Sequence, residues 1–235
     1  MPRSNDHTPR DAGGTSVLYA HSGRVPLASR LSERARLGMY EMFLRTLRPS
    51  ADDVVLDIGV TSDRQHPESN FFERWYPHKQ QLTCVGTEDG SHLEADFPGV
   101  RFVRVTPGER LPFADAQFSI AFSNAVLEHV GDAAAQRAFL AEMARVSRRF
   151  FLTTPNRWFP VEPHTALPLV HYLPPAMFRA LIRPTRYAYW ADEQHLNLLT
   201  ARELAALFPA DAGVTIARAG IGFGVLRSNL IAWRA

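Results

Sequence analysis

Short apolar runs alternate with amphipathic stretches along most of the chain, and this alternation restricts the fold more than any other feature. The run Val54–Ile58 is almost wholly apolar, as strands buried on both faces of a parallel sheet are. The other predicted strands are Leu82–Gly86, Val100–Val105, Phe118–Phe122, Phe150–Thr153, Val214–Ala217 and Ser228–Trp233. Strands that alternate with helices predict an α/β fold, with a mainly parallel sheet covered on both faces.

The predicted helices lie between these strands. Apolar residues at helical spacing predict a helix over Leu31–Leu47, and a second apolar stripe runs over Phe71–Tyr76. Asp132 is a predicted N-cap for a helix after the fourth strand, and a short helix is predicted at Met177–Ile182. Thr200–Glu203 has the spacing of a capping box, which predicts one more helix start.

Length and composition predict one ordinary globular domain. The chain has 235 residues, of which 46% are hydrophobic and 21% are charged, and a division into two domains would be tight at this length. We expect a flexible N-terminal segment at 1–30 and a domain at 31–235. A segment rich in proline and aromatic residues, at about 156–192, interrupts the alternation and is the predicted substrate side of this domain.

Charge and cysteine content exclude several classes of protein. A formal net charge of +2 is too small to predict nucleic-acid binding. Cys84 is the only cysteine, so an intramolecular disulfide or a thiolate metal cluster is excluded and a reducing compartment is compatible. We find neither an apolar signal-peptide core nor a run long enough to span a membrane. The predicted location is therefore the cytoplasm.

Two motifs carry a resemblance to a known family. The run Val54–Gly59 resembles the first motif of class I S-adenosylmethionine-dependent methyltransferases, and the run Leu111–Val130 resembles their strand 4 region. The resemblance implies a Rossmann-like, doubly wound, mainly parallel seven-stranded sheet whose last strand is antiparallel. It also implies S-adenosylmethionine as the cofactor, bound across the carboxyl ends of strands 1 and 2, where open α/β sheets bind their ligands.

The resemblance further implies which residues contact the cofactor. The turn after strand 1 must let the backbone approach the ligand, and a carboxylate after strand 2 accepts hydrogen bonds from the ribose. Gly59 and Glu88 stand at these positions, and Glu109 after strand 3 approximates an acidic residue that meets the adenine. The predicted cofactor-binding residues are Asp57, Gly59, Val60, Thr61, Glu88, Asp89, Glu109, Ser123, Asn124 and Leu127.

The turn after strand 1 departs from the family pattern. In the family this turn is glycine-rich, whereas here Thr61 and Asp63 stand where further glycines are expected. Side chains at these positions restrict positive φ and crowd a ligand, so the turn must take another path. An alternative function follows: a non-catalytic protein of methyltransferase fold that serves as a partner-binding subunit.

Two histidines are the candidate catalytic residues. Methyl transfer from a sulfonium requires alignment and, for a hydroxyl acceptor, removal of a proton. His129 and His164 are imidazoles whose ordinary pKa lies near working pH. The structural alternatives are a helix-start residue for His129 and an ordinary loop residue for His164, and Glu128 is interpreted as structural.

The residues after strand 5 are the candidate substrate contacts. Asn156 and Arg157 can hydrogen-bond a polyhydroxylated or anionic acceptor, and Trp158 can stack on its apolar face. The alternative is that Trp158 and Phe159 only pack the proline-rich segment. The sequence does not separate a substrate pocket from a satellite core here.

These features predict a methyltransferase for a small-molecule, sugar or glycoconjugate acceptor, with methylation at oxygen. A nucleic-acid base methyltransferase ranks lower, because Ser123–Val126 lacks the Asn or Asp, two prolines and aromatic residue typical of that class. No metal site is predicted, since no pair of side chains has a recognised ligand spacing along the chain. The sequence does not indicate an oligomeric state.

Overall fold

A computed structural model of the protein describes residues 27–64 and 69–235, in which seven strands form one sheet. The strands are β1 (Val55–Ile58), β2 (Leu82–Gly86), β3 (Arg101–Arg104), β4 (Phe118–Asn124), β5 (Ser147–Pro155), β6 (Thr215–Ala219) and β7 (Asn229–Arg234). Their order is β3-β2-β1-β4-β5-β7-β6, and β7 runs antiparallel to both of its neighbours. The other strand pairs are parallel, which confirms the predicted fold class.

Six helices connect the strands in the described part of the chain. They are α1 (Leu27–Leu47), α2 (Phe71–Trp75), α3 (Leu93–Asp96), α4 (Ala133–Val146), α5 (Pro175–Ile182) and α6 (Ala201–Ala206). Helix α1 begins four residues before the predicted start, and most of the segment predicted to be flexible (1–30) lies outside the described residues. The predicted caps are both present, because Asp132 accepts hydrogen bonds from two amides of α4 and Thr200 forms a capping box with Glu203.

The two faces of the sheet have separate apolar cores, because successive residues of a strand point to opposite faces. On the face covered by α1 and α2, the core contains four closely packed phenylalanines, namely Phe43, Phe72, Phe122 and Phe151. On the other face, the core is built from β1 and β5 together with residues of α4 and α6. The central strands β1, β2 and β4 are therefore buried on both sides.

The sheet order sets the position of the site. The connections from β1 lead outward to β2 and β3 on one side, whereas β4 and β5 lie on the other side of β1. The order thus reverses between β1 and β4, and ligands of open α/β sheets bind at the carboxyl ends of the strands at such a reversal.

The segment that follows β5 begins at this edge of the sheet. Residues 156–199, which we call the cap segment, connect β5 to the N-cap of α6 and contain the predicted insertion at about 156–192. The cap segment has a third apolar cluster of its own, formed by Phe178, Ile182, Tyr187, Trp190, Ala191 and Leu196.

The length and apolar character of a helix decide whether it can span a membrane. Within residues 27–64 and 69–235, no helix combines the length and the apolar character needed to cross a bilayer.

Candidate active site

The turn after β1 passes very close to the segment after β4. Gly59 is exposed and has φ +102°, in the left-handed region that favours glycine. A Cβ atom built on Gly59 would clash with Cγ2 of Val126. Both the backbone conformation and the available space therefore require glycine here. Because Gly59 is exposed, its backbone is accessible to a ligand.

Side-chain hydrogen bonds hold the remainder of this turn, in which the family has further glycines. The Asn70 side-chain amide accepts from Thr61 N (3.0 Å) and donates to Thr61 O (2.8 Å). Asp63 N donates to Thr61 Oγ1 at 3.2 Å. Val60 is buried, and its N–H donates to Val85 O at 3.1 Å. The turn thus takes its shape from Asn70 and Thr61, which only the folded chain brings together.

Glu88 stands exposed just beyond β2, opposite this turn. Its Oε2 accepts hydrogen bonds from Ser62 Oγ and, at 3.4 Å, from Ser62 N. Among the described residues, its second oxygen, Oε1, has no hydrogen-bond partner. The carboxylate is therefore available to a ribose hydroxyl, with Ser62 as a neighbour that competes for one oxygen.

Asp57 lies beneath the turn and faces the interior. Its side chain is buried against Glu73 of α2, and Cys84 Sγ donates to Glu73 Oε1 at 3.1 Å. Burial raises the pKa of Asp57 well above its ordinary value, and the neighbouring Glu73 carboxyl raises it further. This environment favours the neutral form of Asp57. The buried side chain offers little accessible surface to a cofactor.

The other predicted cofactor residues divide into two groups. Asp89 and Glu109 are exposed at the same edge of the sheet, beyond β2 and β3. Ser123 is fully buried and donates to Ile58 O (2.9 Å), and the Asn124 side chain accepts from Thr153 Oγ1 (2.6 Å). Leu127 packs entirely in the apolar core, so its side chain offers no accessible surface to a cofactor.

The segment after β4 brings His129 to the edge of the sheet. Ala125 takes positive φ (+54°), which is strained for a residue with a Cβ atom and turns the chain sharply after Asn124. A 3₁₀ turn at Leu127–His129 follows, closed by a hydrogen bond from His129 N to Val126 O at 2.8 Å. We call residues 59–63, the turn after β1, the cofactor turn. Val126 lies against Gly59 of this turn, and His129 follows Val126 by three residues.

The fold places the two predicted catalytic histidines in contact. His129 Nε2 and His164 Nε2 lie 3.2 Å apart, and the two rings meet edge to face. The Nδ1 atom of His129 donates to His195 O (2.6 Å), and the Nδ1 atom of His164 donates to Glu162 Oε1 (2.6 Å). These two bonds orient both rings so that their Nε2 atoms face each other. Two imidazoles in these tautomers hold a proton or a cation between their Nε2 atoms.

Glu162 is the anchor of this arrangement. It is fully buried, and its carboxylate accepts four hydrogen bonds, from N and Nδ1 of His164 and from N and Oγ1 of Thr165. Burial alone would raise the pKa of Glu162, but the positive charge of His164 and these hydrogen bonds lower it to about 2. Burial alone would lower the pKa of His164, but the Glu162 carboxylate raises it. Each partner thus favours the charged form of the other.

Glu128 is a second buried carboxylate beside the histidines. Its Oε2 accepts from Thr154 Oγ1 (2.9 Å), and its Oε1 lies 3.8 Å from His129 Nε2. The side chain has no exposed surface, and Oε1 has no hydrogen-bond partner within the described residues. We call Glu128, His129, His164 and Glu162 the histidine cluster.

The predicted substrate residues lie at the start of the cap segment. Asn156 is buried, and its amide donates to Val225 O (2.9 Å) and Arg227 O (2.7 Å), so both of its N–H groups are used within the protein. Arg157 donates to Leu173 O at 3.0 Å and has only a small exposed fraction. Trp158 is exposed and meets the ring of Tyr172 edge to face.

Sequence reasoning missed Glu162, Thr165 and Trp190. Trp190 packs against the imidazoles of His129 and His164, with ring centroids 5.8 and 4.8 Å away. A usable signal was the run Glu162–Thr165, in which an acid, a histidine and a hydroxyl stand close together in an otherwise apolar and proline-rich segment.

The comparisons with known proteins agree with the fold. A family model described as a methyltransferase domain matches residues 71–149, which include the strand 4 region and the first of the two histidines. Residues 71–149 thus correspond to a methyltransferase domain, in agreement with the class I S-adenosylmethionine-dependent resemblance of the sequence. No curated protein matches the sequence. The prediction of a methyltransferase that uses S-adenosylmethionine is confirmed.

Solved structures show the same fold in three methyltransferases of different organisms. One from Thermotoga maritima is 16% identical, with a TM-score of 0.55, and the match covers 87% of this chain and 91% of that chain. Magnesium protoporphyrin IX methyltransferase from Synechocystis, with bound SAH, is 14% identical with a TM-score of 0.54, covering 93% and 91%. A Haloferax volcanii methyltransferase in complex with the Trm112 activator is 13% identical with a TM-score of 0.55, covering 88% and 92%.

The residues at the open edge fit the cofactor. Gly59 is exposed, so its backbone is accessible to a ligand, and Glu88 keeps one carboxylate oxygen without a partner among the described residues. These two features correspond to what an adenosine ribose requires at the ends of β1 and β2. When bound, S-adenosylmethionine supplies an activated methyl group.

We expect Glu88→Ala to weaken S-adenosylmethionine binding by roughly 10- to 100-fold, because hydrogen bonds to a charged group contribute about 1.5–3 kcal/mol. Ser62→Ala should bind at least as tightly as the wild type, since it removes a competitor for Glu88 Oε2. Calorimetric titration measures both, with Glu41→Ala on the exposed face of α1 as the control. Equal affinity in Glu88→Ala would disprove the predicted role of Glu88. Absence of any wild-type thermal shift at millimolar ligand would favour the non-catalytic alternative.

Proposed function

We propose that the protein transfers the methyl group of S-adenosylmethionine to a hydroxyl oxygen of a small polar acceptor, such as a sugar or a glycoconjugate. In this reaction an O–C bond forms while the C–S bond of the sulfonium breaks, and the sulfur leaves as a neutral thioether. The hydroxyl proton must also be lost. An acceptor oxygen therefore needs a group that takes its proton or stabilises its negative charge.

The contact between His129 and His164 carries this proposal. Their Nε2 atoms are 3.2 Å apart, and each ring is held by a hydrogen bond at its Nδ1 atom. The His129 side chain is 34% exposed, so the cluster is open to an acceptor on one side. Val126, three residues before His129, lies against Gly59, so the proposed proton-handling group and the proposed methyl-donor site are on the same edge of the sheet.

The composition of the cap segment supports a polar acceptor. Arg157 and Trp158 begin this segment, and Trp158 and Tyr172 form an exposed aromatic pair of the kind that packs against the apolar face of a sugar. The single cysteine, Cys84, is a free and buried thiol, which supports a cytoplasmic location. No nucleic-acid partner is proposed, because the net charge of +2 lacks the basic excess that phosphates require.

A transfer assay with labelled S-adenosylmethionine tests the proposal. The acceptors are matched sets that carry a hydroxyl, an amine or a thiol on the same scaffold, drawn from monosaccharides, glycosides, polyols and phenols. We expect label on the hydroxyl compound of one set, with mass spectrometry locating the methyl group on oxygen. Transfer confined to amines or thiols would contradict the proposal while leaving the methyltransferase family unchanged.

A further inference from the structure

We propose that the histidine cluster binds one first-row transition-metal dication of the Zn²⁺ type, with Glu128, His129 and His164 as its ligands. The three side chains each offer one ligand atom, and these atoms lie within 4.8 Å of one another. Two imidazoles and one carboxylate are a ligand set that suits Zn²⁺ and its neighbours, whereas Mg²⁺ and Ca²⁺ prefer oxygen ligands.

The distance between the two histidines fits a shared ion. Metal–nitrogen bonds of about 2.0–2.1 Å in tetrahedral geometry place two ligand nitrogens about 3.3 Å apart. The observed separation of the two Nε2 atoms is 3.2 Å. Glu128 Oε1 lies 3.8 Å from His129 Nε2, so the carboxylate must move closer to the histidines to complete the set.

The outer contacts are those of metal-bound histidines. Histidine ligands generally donate their other ring N–H to a carboxylate or a backbone carbonyl, which fixes the tautomer that leaves the ligating nitrogen free. His164 donates to the Glu162 carboxylate, and His129 donates to the carbonyl of His195.

A proton between the two histidines is the competing occupant, and it leaves Glu128 unexplained. Such a proton satisfies both Nε2 atoms, but the buried Oε1 atom of Glu128 still lacks a donor. Within the described residues, neither Glu128 nor Glu162 hydrogen-bonds to lysine or arginine. A dication satisfies all three ligand atoms and balances the charge of two buried carboxylates, whose burial without a partner is costly.

The role of the ion rests on the proposed function. Three protein ligands leave a fourth position of a tetrahedral site open, on the exposed side of His129. An acceptor hydroxyl bound at this position would have its pKa lowered by the ion, so that its proton passes to water before the oxygen attacks the methyl group. The histidines then act as ligands that position the ion.

Metal binding is tested directly, without S-adenosylmethionine or acceptor. The untagged full chain is freed of metal with a chelator and titrated with Zn²⁺ by calorimetry and with Co²⁺ by visible absorption. We expect one ion per chain and intense Co²⁺ bands typical of tetrahedral coordination. Glu128→Gln and His164→Asn should weaken binding at least tenfold, and Glu162→Gln about 10- to 100-fold through the outer contact.

Matched variants separate this site from adventitious binding. His78→Asn, in the loop before β2, and Glu41→Gln, on the exposed face of α1, should bind the ion as the wild type does. Circular dichroism checks the fold of each variant, and the nearly isosteric Glu128→Gln keeps the test decisive if His164→Asn fails to fold. Absence of stoichiometric binding, or equal binding in all variants, would overturn the proposal.

Activity provides a separate readout for the role of the ion. With an acceptor in hand, removal of the metal should lower the rate of methyl transfer, and Zn²⁺ or Co²⁺ should restore it. An unchanged rate in the metal-free chain would overturn the catalytic role. If no acceptor is methylated at oxygen, the proposed function fails, but the binding results for the ion stand by themselves.

Discussion

Replacing His129 with asparagine is expected to lower kcat for methyl transfer by about 10²- to 10⁴-fold, the range for loss of a group that manages a proton in the transition state. Asparagine can still donate to His195 O, but it places no ring nitrogen opposite His164 Nε2. The affinity for S-adenosylmethionine should stay unchanged, because the proposed ribose contact of Glu88 and the proposed backbone contact of Gly59 do not involve the His129 side chain. Steady-state kinetics with the acceptor from the transfer assay and a calorimetric cofactor titration measure the two quantities.

The control for this experiment is His78→Asn, which makes the same chemical change outside the histidine cluster and should leave kcat unaltered. A His129→Asn variant that binds cofactor normally and retains full kcat would show that the cluster takes no part in the chemistry. A parallel loss of cofactor affinity would instead indicate that the turn around Val126 and Gly59 has been disturbed.

The second large effect concerns stability. Glu162→Gln should lower the free energy of unfolding by about 3–5 kcal/mol, the range for removing one partner of a buried ion pair. The change leaves His164, whose pKa the Glu162 carboxylate raises, without that carboxylate. The single amide oxygen of glutamine can accept from His164 or from Thr165 but not from both, so one set of donors loses its acceptor. Urea unfolding followed by tryptophan fluorescence measures the loss, and Trp190 reports it locally.

Glu193→Gln is the matched control, because Glu193 forms a partly exposed ion pair with Arg179 in the same cap segment. Exposed pairs contribute only about 0–1 kcal/mol, so this variant should unfold close to the wild type. If the two variants lose the same small amount, Glu162 does not anchor the histidine cluster.

Most of the fold is contained in local sequence patterns. The runs around Val55–Ile58 and Leu82–Gly86 are typical of strands buried on both faces, because a largely apolar run has no polar side to present to water. Asp132 and Thr200 marked helix starts through chemistry that acts within three residues. Local patterns do not fix exact ends, which explains why β5 begins at Ser147, three residues before the predicted start.

The candidate site depends on contacts that no local pattern contains. His129 and His164 were singled out as separate residues, but their contact joins positions 35 residues apart on different elements. The expectation of no metal site relied on ligand spacing along the chain, which does not detect ligands assembled by the fold. Likewise, Asn70 replaces the missing glycines of the cofactor turn from nine residues away.

The independent apolar cluster of the cap segment has an evolutionary consequence. Since Phe178, Ile182 and their neighbours form a cluster separate from the two cores of the sheet, this segment can change its surface without disturbing those cores. The proposed acceptor-binding surface can then diversify while the sheet and the proposed cofactor site remain constant. Chimeras that exchange residues 167–191 between relatives, and keep the histidine cluster, are a practical route to new acceptors.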